Sequence, residues 1–170
     1  DALPISSRLL REVLPPLLKV ADEFIVIDSG STDATLQICQ QFGLTVHHHP
    51  YTSHGAQMNY ATSLACHDWV LCMDSDEILD DEVVAAILAL KAGDDPDPAR
   101  AWRLPRYWFV LGEEVRTIYP VSSPDFPVRL FNRSVARFND RPVDDQVVGF
   151  QHSSKLPGFV RHDTFYSLHE

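Results

Sequence analysis

Two aspartates follow an apolar run at residues 70–73. They are Asp74 and Asp76, with Ser75 between them, and the run before them is typical of a buried strand. Carboxylate oxygens are preferred ligands of Mg²⁺ and Mn²⁺, and substrate phosphates commonly complete such a site. The pattern predicts a strand end that holds a divalent cation on a diphosphate. It also fits an Asp-rich turn before a helix that Asp80 caps.

A second polar turn follows the apolar, β-branched run at residues 24–27. Residues 28–33 offer exposed backbone N–H groups and, at Asp28, a carboxylate that can accept hydrogen bonds from a base or ribose. The turn lacks the Gly-Lys-Ser/Thr of a P-loop and the G-x-G-x-x-G spacing of a dinucleotide site. It predicts a nucleotide-contacting turn, and the simpler alternative is a turn that only starts the next helix.

These turns belong to an alternating series of helices and strands. We expect a helix over residues 7–19 that ends or restarts at Pro15 and Pro16, because proline disrupts a helix interior. Strands are predicted at residues 24–27, 44–48 and 69–73, and helices at about 33–42, 56–66 and 81–91. The alternation predicts a doubly wound α/β sheet, with Asp28 and the two later aspartates in one crevice beyond the strand ends.

The chain length indicates a single domain over residues 1–170, and a change in sequence pattern divides it into two different halves. Residues 1–92 carry the alternating pattern, and we expect them to hold a nucleotide sugar and a metal. After a polar loop at residues 93–99, residues 100–170 contain short strands rich in arginine and aromatic side chains, which we expect to bind an acceptor. Of these aromatics, Trp102 is expected in the core, and Tyr107 and Trp108 could pack on a sugar.

Composition excludes several classes of function. The net charge of −10 opposes general binding to nucleic acid or to acidic membranes. Three cysteines without a C-x-x-C pair predict reduced, buried thiols. No apolar run reaches the roughly 20 residues of a membrane span, and no signal peptide is evident, so we expect a cytoplasmic protein with at most peripheral membrane contact. Arg129 and Arg133 could form a local anion site or pair with neighbouring acids.

Four ordered motifs together resemble the family 2 glycosyltransferases of GT-A fold, in particular bacterial lipopolysaccharide-core β-glucosyltransferases. They are IVIDSGSTD at 25–33, GAQMNYA at 55–61, WVLCMDSDE at 69–77, and RLFNR with ARF within 129–138. The resemblance covers nearly the whole chain. It implies a Rossmann-like, mixed but mainly parallel sheet flanked by helices. It also implies metal-dependent, inverting transfer of a hexose such as glucose from a UDP-sugar to a glycan or lipid-linked acceptor, such as lipopolysaccharide core, at the inner face of the inner membrane.

The same resemblance implies roles for individual residues. Contacts to the nucleotide sugar would come from Asp28, Ser29, Gly30, Ser31, Gln57, Asn59, Asp74, Ser75, Arg129 and Arg133. Mg²⁺ or Mn²⁺ would be held by Asp74, Asp76 and His162. The catalytic base would lie in Val143-Asp144-Asp145, where relatives have Val-His-Glu or Val-His-Asp. Asp145 inherits the role by position, but Asp144 replaces the usual histidine, so both aspartates stay candidates.

Departures from the family pattern keep two alternatives open. The chain starts where the family's second element is expected and stops at Glu170, so we expect truncation at both ends and a missing first strand; Met58 also stands where lysine is frequent. One alternative is a non-catalytic nucleotide-sugar-binding domain. The weaker one is a haloacid dehalogenase-type phosphohydrolase, whose D-x-D normally lies on the opening strand. The three histidines at 47–49 are expected to be structural, because alternate side chains of a strand diverge.

Overall fold

A computed structural model describes residues 7–118, 121–139, 141 and 144–165 of the chain. Val143 of the predicted base triplet lies outside these residues. The helices are α1 (Ser7–Val20), α2 (Thr35–Gln41), α3 (His54–Leu64) and α4 (Asp81–Ala92). The strands of the first half are β1 (Val26–Asp28), β2 (Val46–His48), β3 (Trp69–Leu71) and β4 (Glu77–Leu79).

Ten further strands make up the second half within the described residues. They are β5 (Arg100–Arg103), β6 (Arg106–Val110), β7 (Glu113–Val115), β8 (Thr117–Ile118), β9 (Val121–Ser122), β10 (Val128–Asn132), β11 (Arg137–Phe138), β12 (Val147–Val148), β13 (His152–Lys155) and β14 (Val160–Phe165). The elements that the sequence predicted in the first half occur in the predicted order, with boundaries that shift by about two residues, but strand β4 was not predicted.

The strands form two four-stranded sheets and three two-stranded ones in the described part of the chain. The larger sheets have the orders β13-β5-β10-β3 and β4-β14-β6-β7, and β1 pairs with β2 in parallel. The predicted mixed α/β class is confirmed. Antiparallel ladders outnumber parallel ones by six to three, so strand directions are less parallel than expected. Short connections, such as those that join β6 to β7 and β8 to β9, allow only antiparallel pairing.

Helix α1 contradicts the predicted interruption, because it continues through Pro15 and Pro16. Its apolar side chains repeat at helical spacing and are buried at Leu9, Leu10, Val13, Leu14, Leu17 and Val20. Each such burial contributes about 1.5–3 kcal/mol, whereas an interior proline costs about 3 kcal/mol. Packing on α4 and α2 therefore outweighs the prolines. None of the helices described here is long and apolar enough to cross a membrane.

Three hydrophobic clusters hold these layers together. The largest joins α1, α4 and the β13-β5-β10-β3 sheet. It contains Trp102, which is buried, so its predicted core position is confirmed. The Trp102 ring meets the Trp69 ring edge-on, with the ring centroids 5.3 Å apart. A second cluster packs α3 and β11 around Phe131. The prediction that all cysteines are buried is wrong for Cys66, which follows the end of α3 and is exposed.

Candidate functional site

The D-x-D turn follows β3, as the sequence predicted, and leads into β4. Strand β10 runs antiparallel to β3, and the Cys72 N–H donates a hydrogen bond to the Arg129 carbonyl at 2.8 Å. This pairing brings the Arg129 side chain to the turn, where its Nη2 lies 2.7 Å from Asp74 Oδ2. The carboxylate of Asp74 is therefore held by an arginine from the neighbouring strand. Ser75 lies half-buried in the same turn.

One histidine joins the D-x-D turn to the candidate base. Helix α3 begins at His54 because the Ser53 hydroxyl caps it, accepting a hydrogen bond from the Ala56 N–H. The His54 ring then lies with Nε2 2.7 Å from Asp74 Oδ1 and Nδ1 2.8 Å from Asp145 Oδ2. We call His54, Asp74 and Asp145 the bridging cluster.

Charge in the bridging cluster is set by these contacts. The hydrogen bond to Asp74, with further help from Asp145, raises the pKa of His54 to about 9. Burial would raise the pKa of Asp74, but the Arg129 charge and the His54 contact hold it well below its usual range. At neutral pH the cluster is therefore an imidazolium between two carboxylates, with both ring nitrogens donating.

The two candidate base residues differ in their surroundings. Asp145 is half-buried and faces His54. Asp144 is exposed, has a φ of 56°, and accepts a 3.3 Å hydrogen bond from Gln146 Nε2. Gly55 allows the close approach of α3 to this segment, because a Cβ there would come within 2.7 Å of the Asn139 carbonyl. The structure therefore brings Asp145, but not Asp144, into the bridging cluster.

The turn after β1 lies next to the same end of α3. The Asp28 carboxylate accepts hydrogen bonds from the N–H groups of Gly30 and Ser31, at 2.8 and 3.1 Å. Burial opposes ionisation, but these bonds hold the pKa of Asp28 below its usual value. Asp28 therefore stabilises its own turn. In the same turn, the Ser29 hydroxyl accepts a 3.0 Å hydrogen bond from Gln57 Nε2.

Gln57 and His54 stand three residues apart on one face of α3. Gln57 contacts the turn of Asp28 through Ser29, and His54 contacts Asp74. The two polar turns therefore lie along one face of α3, as the predicted common crevice requires. Gln57 Oε1 also lies 2.8 Å from His49 Nδ1, and the His49 ring stacks on Tyr60 with centroids 3.9 Å apart. In this contact His49 is a packing residue.

Asn59, predicted to border the nucleotide, is engaged elsewhere. Its Nδ2 donates to the Phe138 carbonyl and its Oδ1 accepts from the Phe138 N–H, both at 3.0 Å. These bonds fasten α3 to β11. The geometry therefore gives Asn59 a positioning role, because β11 leads into the segment that carries Asp145.

The predicted metal ligands divide into two groups. His162 on β14 lies opposite Glu77 of β4, and its Nε2 is 3.1 Å from Asp76 Oδ2. His162 Nδ1 is buried with no hydrogen-bond partner among the described residues. Asp74 faces Arg129 and His54 instead. In the part of the chain that the structure describes, no three His, Cys, Asp or Glu side chains are arranged to hold an ion. The predicted triad is thus reduced to the Asp76–His162 pair.

Arg133 does not reach the crevice, contrary to the prediction. Its N–H donates to the Asp68 carbonyl, and its Nε donates to the His67 carbonyl, both at 2.8 Å. Residues 67 and 68 precede β3, whereas Asp74 follows it. Because β10 runs antiparallel to β3, residues at its end lie next to the beginning of β3. Arg133 is therefore at the opposite end of the strand from the D-x-D turn.

A cluster of buried charged side chains lies on the inner side of the D-x-D turn. Glu77 is fully buried and accepts hydrogen bonds from Arg129 and, at 2.8 Å, from Arg106 Nη1. Arg106 also pairs with Asp125 through Nε and Nη2. Each charge in this cluster of Glu77, Arg106, Arg129 and Asp125 has an opposite partner. Arg129, predicted as a diphosphate ligand, is thus committed to two protein carboxylates.

A cavity of about 470 Å³ opens beside the bridging cluster. Asp145 and His54 lie on one side of it, and Arg103, Arg106 and Phe126 contribute to the remaining walls. It adjoins the segment of residues 144–147 and the strand β10. The candidate base therefore faces a space large enough for a small ligand.

Comparison with known proteins identifies the family. The model of "Glycosyl transferase family 2" matches residues 7–150, which is most of the chain. The chain belongs to glycosyl transferase family 2. This membership overturns the phosphohydrolase alternative. An uncharacterized glycosyltransferase of Rickettsia typhi is 30% identical over 70% of this chain and 40% of its own length. A TPR repeat-containing protein of Synechococcus elongatus is 33% identical over 85% of this chain and 34% of its own length.

Solved structures of family 2 folds match as well. Staphylococcus aureus TarS (residues 1–349), crystallised with UDP-GlcNAc, has a TM-score of 0.62 at 19% identity, over 94% of this chain and 56% of that one. TarS with UDP has a TM-score of 0.60 at 17% identity, over 94% of this chain and 57% of that one. These likenesses show the GT-A fold. The chain spans less than half the length of the curated relatives it matches.

Sequence reasoning missed several residues of this family 2 site. His54 was placed in a loop because the helix was expected to begin at about residue 56, and the Ser53 cap was the signal that would have moved the start. Arg106 and Asp125 gave no motif, because they meet only through strand pairing in the second half.

Proposed function

We propose that this family 2 chain transfers a hexosyl group from a UDP-sugar to an acceptor hydroxyl, with inversion at the anomeric carbon. The observation that carries the proposal is the bridging cluster, in which one imidazole separates the D-x-D carboxylate from the candidate base. Family membership supports a nucleotide-sugar donor. The fold likeness to TarS bound to UDP-GlcNAc supports uridine as its nucleoside.

The donor occupies the crevice between the Asp28 turn and the D-x-D turn. The exposed Ser29 lies beside Gln57 at this crevice, and its hydroxyl suits the polar edges of a base and ribose. Asp28 acts by fixing the turn. Ser75 contributes polar groups on the diphosphate side. Arg129 assists by holding Asp74 in place, because its guanidinium is already bound by two carboxylates.

We assign a Mg²⁺ or Mn²⁺ ion to Asp76 and His162. The Asp76 carboxylate is the kind of oxygen donor that both ions prefer, whereas the His162 imidazole in contact with it suits Mn²⁺ better than Mg²⁺. Such ions commonly take their remaining ligands from water and substrate phosphates. When bound, the ion would neutralise charge on the departing diphosphate. Asp74 stays a candidate third ligand, because its carboxylate belongs to the same turn.

Asp145 acts as the general base of the proposed reaction. The acceptor oxygen forms a bond to the anomeric carbon, the bond from that carbon to UDP breaks, and the hydroxyl proton passes to Asp145. His54 donates to one oxygen of this carboxylate and so fixes its orientation. The other oxygen is left to meet the acceptor in the cavity. The more exposed Asp144 has no such support.

The finer assignments rest on the resemblance of the motifs alone. We propose glucose as the transferred hexose, lipopolysaccharide core or another lipid-linked glycan as the acceptor, and the cytoplasmic face of the inner membrane as the place of action. Each of these needs a substrate test, because a fold does not specify its substrates.

Titration calorimetry with UDP, with and without Mn²⁺, followed by a UDP-release assay over a panel of UDP-hexoses and sugar acceptors, tests the proposal. We expect UDP to bind more tightly with Mn²⁺, and UDP release to depend on an acceptor. NMR of the product should show the inverted anomer. Binding of UDP without any release would instead favour the alternative of a non-catalytic nucleotide-sugar-binding domain. Failure to bind UDP would overturn both.

A further inference from the structure

Two basic side chains beside the cavity have no carboxylate partner among the described residues. Arg103 lies on β5 and Lys155 on β13, and the parallel ladder places them opposite each other. Residues opposite each other in a ladder share a face of the sheet, and like charges there repel. The pairing is unexpected in a chain with 24 acidic and 14 basic side chains. Charge-neutralising partners for these two cations are therefore to be sought in a ligand.

Arg103 is held in place without being neutralised. Its Nε donates to the Ser153 hydroxyl at 3.2 Å, and its Nη1 donates to the Phe126 carbonyl at 2.9 Å. Both partners are neutral, and Nη2 makes no hydrogen bond within the described residues. Arg103 is one of the residues that line the cavity that Asp145 faces. Arg103 is thus a fixed cation that can still donate into this space.

Lys155 adds a second positive charge next to Phe126, a wall residue of the cavity. Its Nζ lies 3.4 Å from the centroid of the Phe126 ring, and Phe126 itself lines the cavity. An ammonium over an aromatic face is attracted to the ring but keeps its charge and its remaining hydrogen-bond donors. Arg103 and Lys155 therefore approach Phe126 from the same sheet face.

The other cations at the cavity are neutralised by protein groups. Arg106 is bound by Glu77 and Asp125, and Arg129 by Glu77 and Asp74. The lining of the cavity therefore includes both candidate base carboxylates, at Asp144 and Asp145, and the fixed charge of Arg103. A ligand that presents a hydroxyl to Asp145 and an oxyanion to Arg103 would satisfy both.

We infer that the acceptor carries an anionic group, a phosphate or a carboxylate on its saccharide, which binds to Arg103 and Lys155 while a hydroxyl of the same molecule meets Asp145. This inference rests on the proposed function and adds the chemical class of the acceptor. Phosphate and carboxylate share the oxyanion that a guanidinium recognises, so the experiment has an arm for each.

The test compares three acceptor probes: a methyl glucoside, glucose 6-phosphate and a methyl glucuronide. Binding to the full chain is measured by calorimetry with UDP present, and transfer is measured by UDP release. We expect one or both anionic probes to bind about 10- to 100-fold more tightly than the neutral probe, as charge-assisted hydrogen bonds allow. Preference for only one anionic probe would support the inference and identify the group.

Arg103→Gln should bring the ratio of anionic to neutral affinity close to one by raising KM for the anionic probe, with little change in kcat. Lys155→Gln should lower the same ratio by a smaller factor. Arg100→Gln is the matched control, because Arg100 lies on the same strand and donates to Ser154, a neutral partner, at 2.9 Å. Arg100 does not line the cavity, and its side chain lies on the opposite face of the sheet from that of Arg103. The ratio of anionic to neutral affinity in Arg100→Gln should therefore equal that of the unchanged chain.

Several results would overturn the inference. Equal affinity for all three probes would do so while leaving the proposed function intact. A ratio that falls equally in Arg100→Gln and Arg103→Gln would show a general charge effect. Loss of binding to anionic phospholipid vesicles in Arg103→Gln, with unchanged probe ratios, would assign the two cations to a membrane surface. Failure of UDP itself to bind would count against the proposed function, which is measured separately.

Discussion

The buried charge cluster and the bridging cluster use similar groups in different surroundings. Around Glu77, which is fully buried, each charge is matched by another protein charge. In the bridging cluster, Asp74 and His54 keep about a quarter to a third of their side-chain surface exposed. Solvent access allows a ligand to replace a protein partner, whereas burial does not. The first cluster is therefore structural support, and the second is where substrates can bind.

The largest expected effect would come from removing the charge at the centre of the buried cluster. Glu77→Gln keeps the volume but leaves Arg106 and Arg129 with one carboxylate less each, which should lower the free energy of unfolding by about 3–5 kcal/mol. Urea denaturation measures this change in the free energy of unfolding. Asp81→Asn is the control, since Asp81 is 99% exposed and pairs with Lys19 at 3.7 Å; it should cost less than about 1 kcal/mol. Similar losses in both variants would remove the distinction between the clusters.

The bridging cluster should instead be sensitive in catalysis. Asp145→Asn removes the proposed base, so kcat should fall by about 10²- to 10⁴-fold, while UDP affinity stays nearly unchanged. Asp144→Asn is the matched neighbour and should lower kcat by less than about tenfold, because Asp144 has no contact with His54. Initial rates of UDP release measure both. A larger loss in the Asp144 variant would transfer the role of base to that residue.

This contrast also explains what the sequence could predict. The apolar runs before residues 28 and 74 and their polar turns are local signals, and they correctly predicted that the two turns lie close together, next to α3. The buried cluster joins side chains of β4, β6 and β10 with Asp125. These residues are far apart in sequence and meet only because of the strand order, which no local pattern predicts. Arg133 was assigned to the site because it is close in sequence to Arg129, but antiparallel pairing carries it to the other end of β3.

A smaller effect is expected from pH. The folded-state pKa of His54, about 9, lies above its usual 6.5, so its bonds to Asp74 and Asp145 stabilise the fold fully below pH 6.5. This contribution is lost as the pH rises through 9. At pH 6 the free energy of unfolding of the unchanged chain should exceed that of His54→Gln by about 1–2 kcal/mol. This gap should narrow between pH 6.5 and pH 9 and be smallest above pH 9.

Urea denaturation of His54→Gln across this pH range, without added metal, makes the measurement. His152→Gln is the control, because His152 is exposed on β13 and has no carboxylate within ion-pair distance in the described part of the chain. Its stability should follow that of the unchanged chain at every pH. A gap for His54→Gln that is the same at pH 6 and pH 10 would mean that the ring acts by packing rather than by charge.

The smallest effect is expected at Arg133, where motif and geometry disagree. Arg133→Gln should change the affinity for UDP with Mn²⁺ by less than about twofold, because its guanidinium contacts the carbonyl of His67 before β3. Asp76→Asn, at the other end of that strand, should weaken Mn²⁺-dependent UDP binding by about tenfold or more, since it removes an anionic ligand. Calorimetry of both variants compares the two ends directly. A loss at Arg133 as large as that at Asp76 would contradict the separation of Arg133 from the site that the antiparallel register of β10 on β3 indicates.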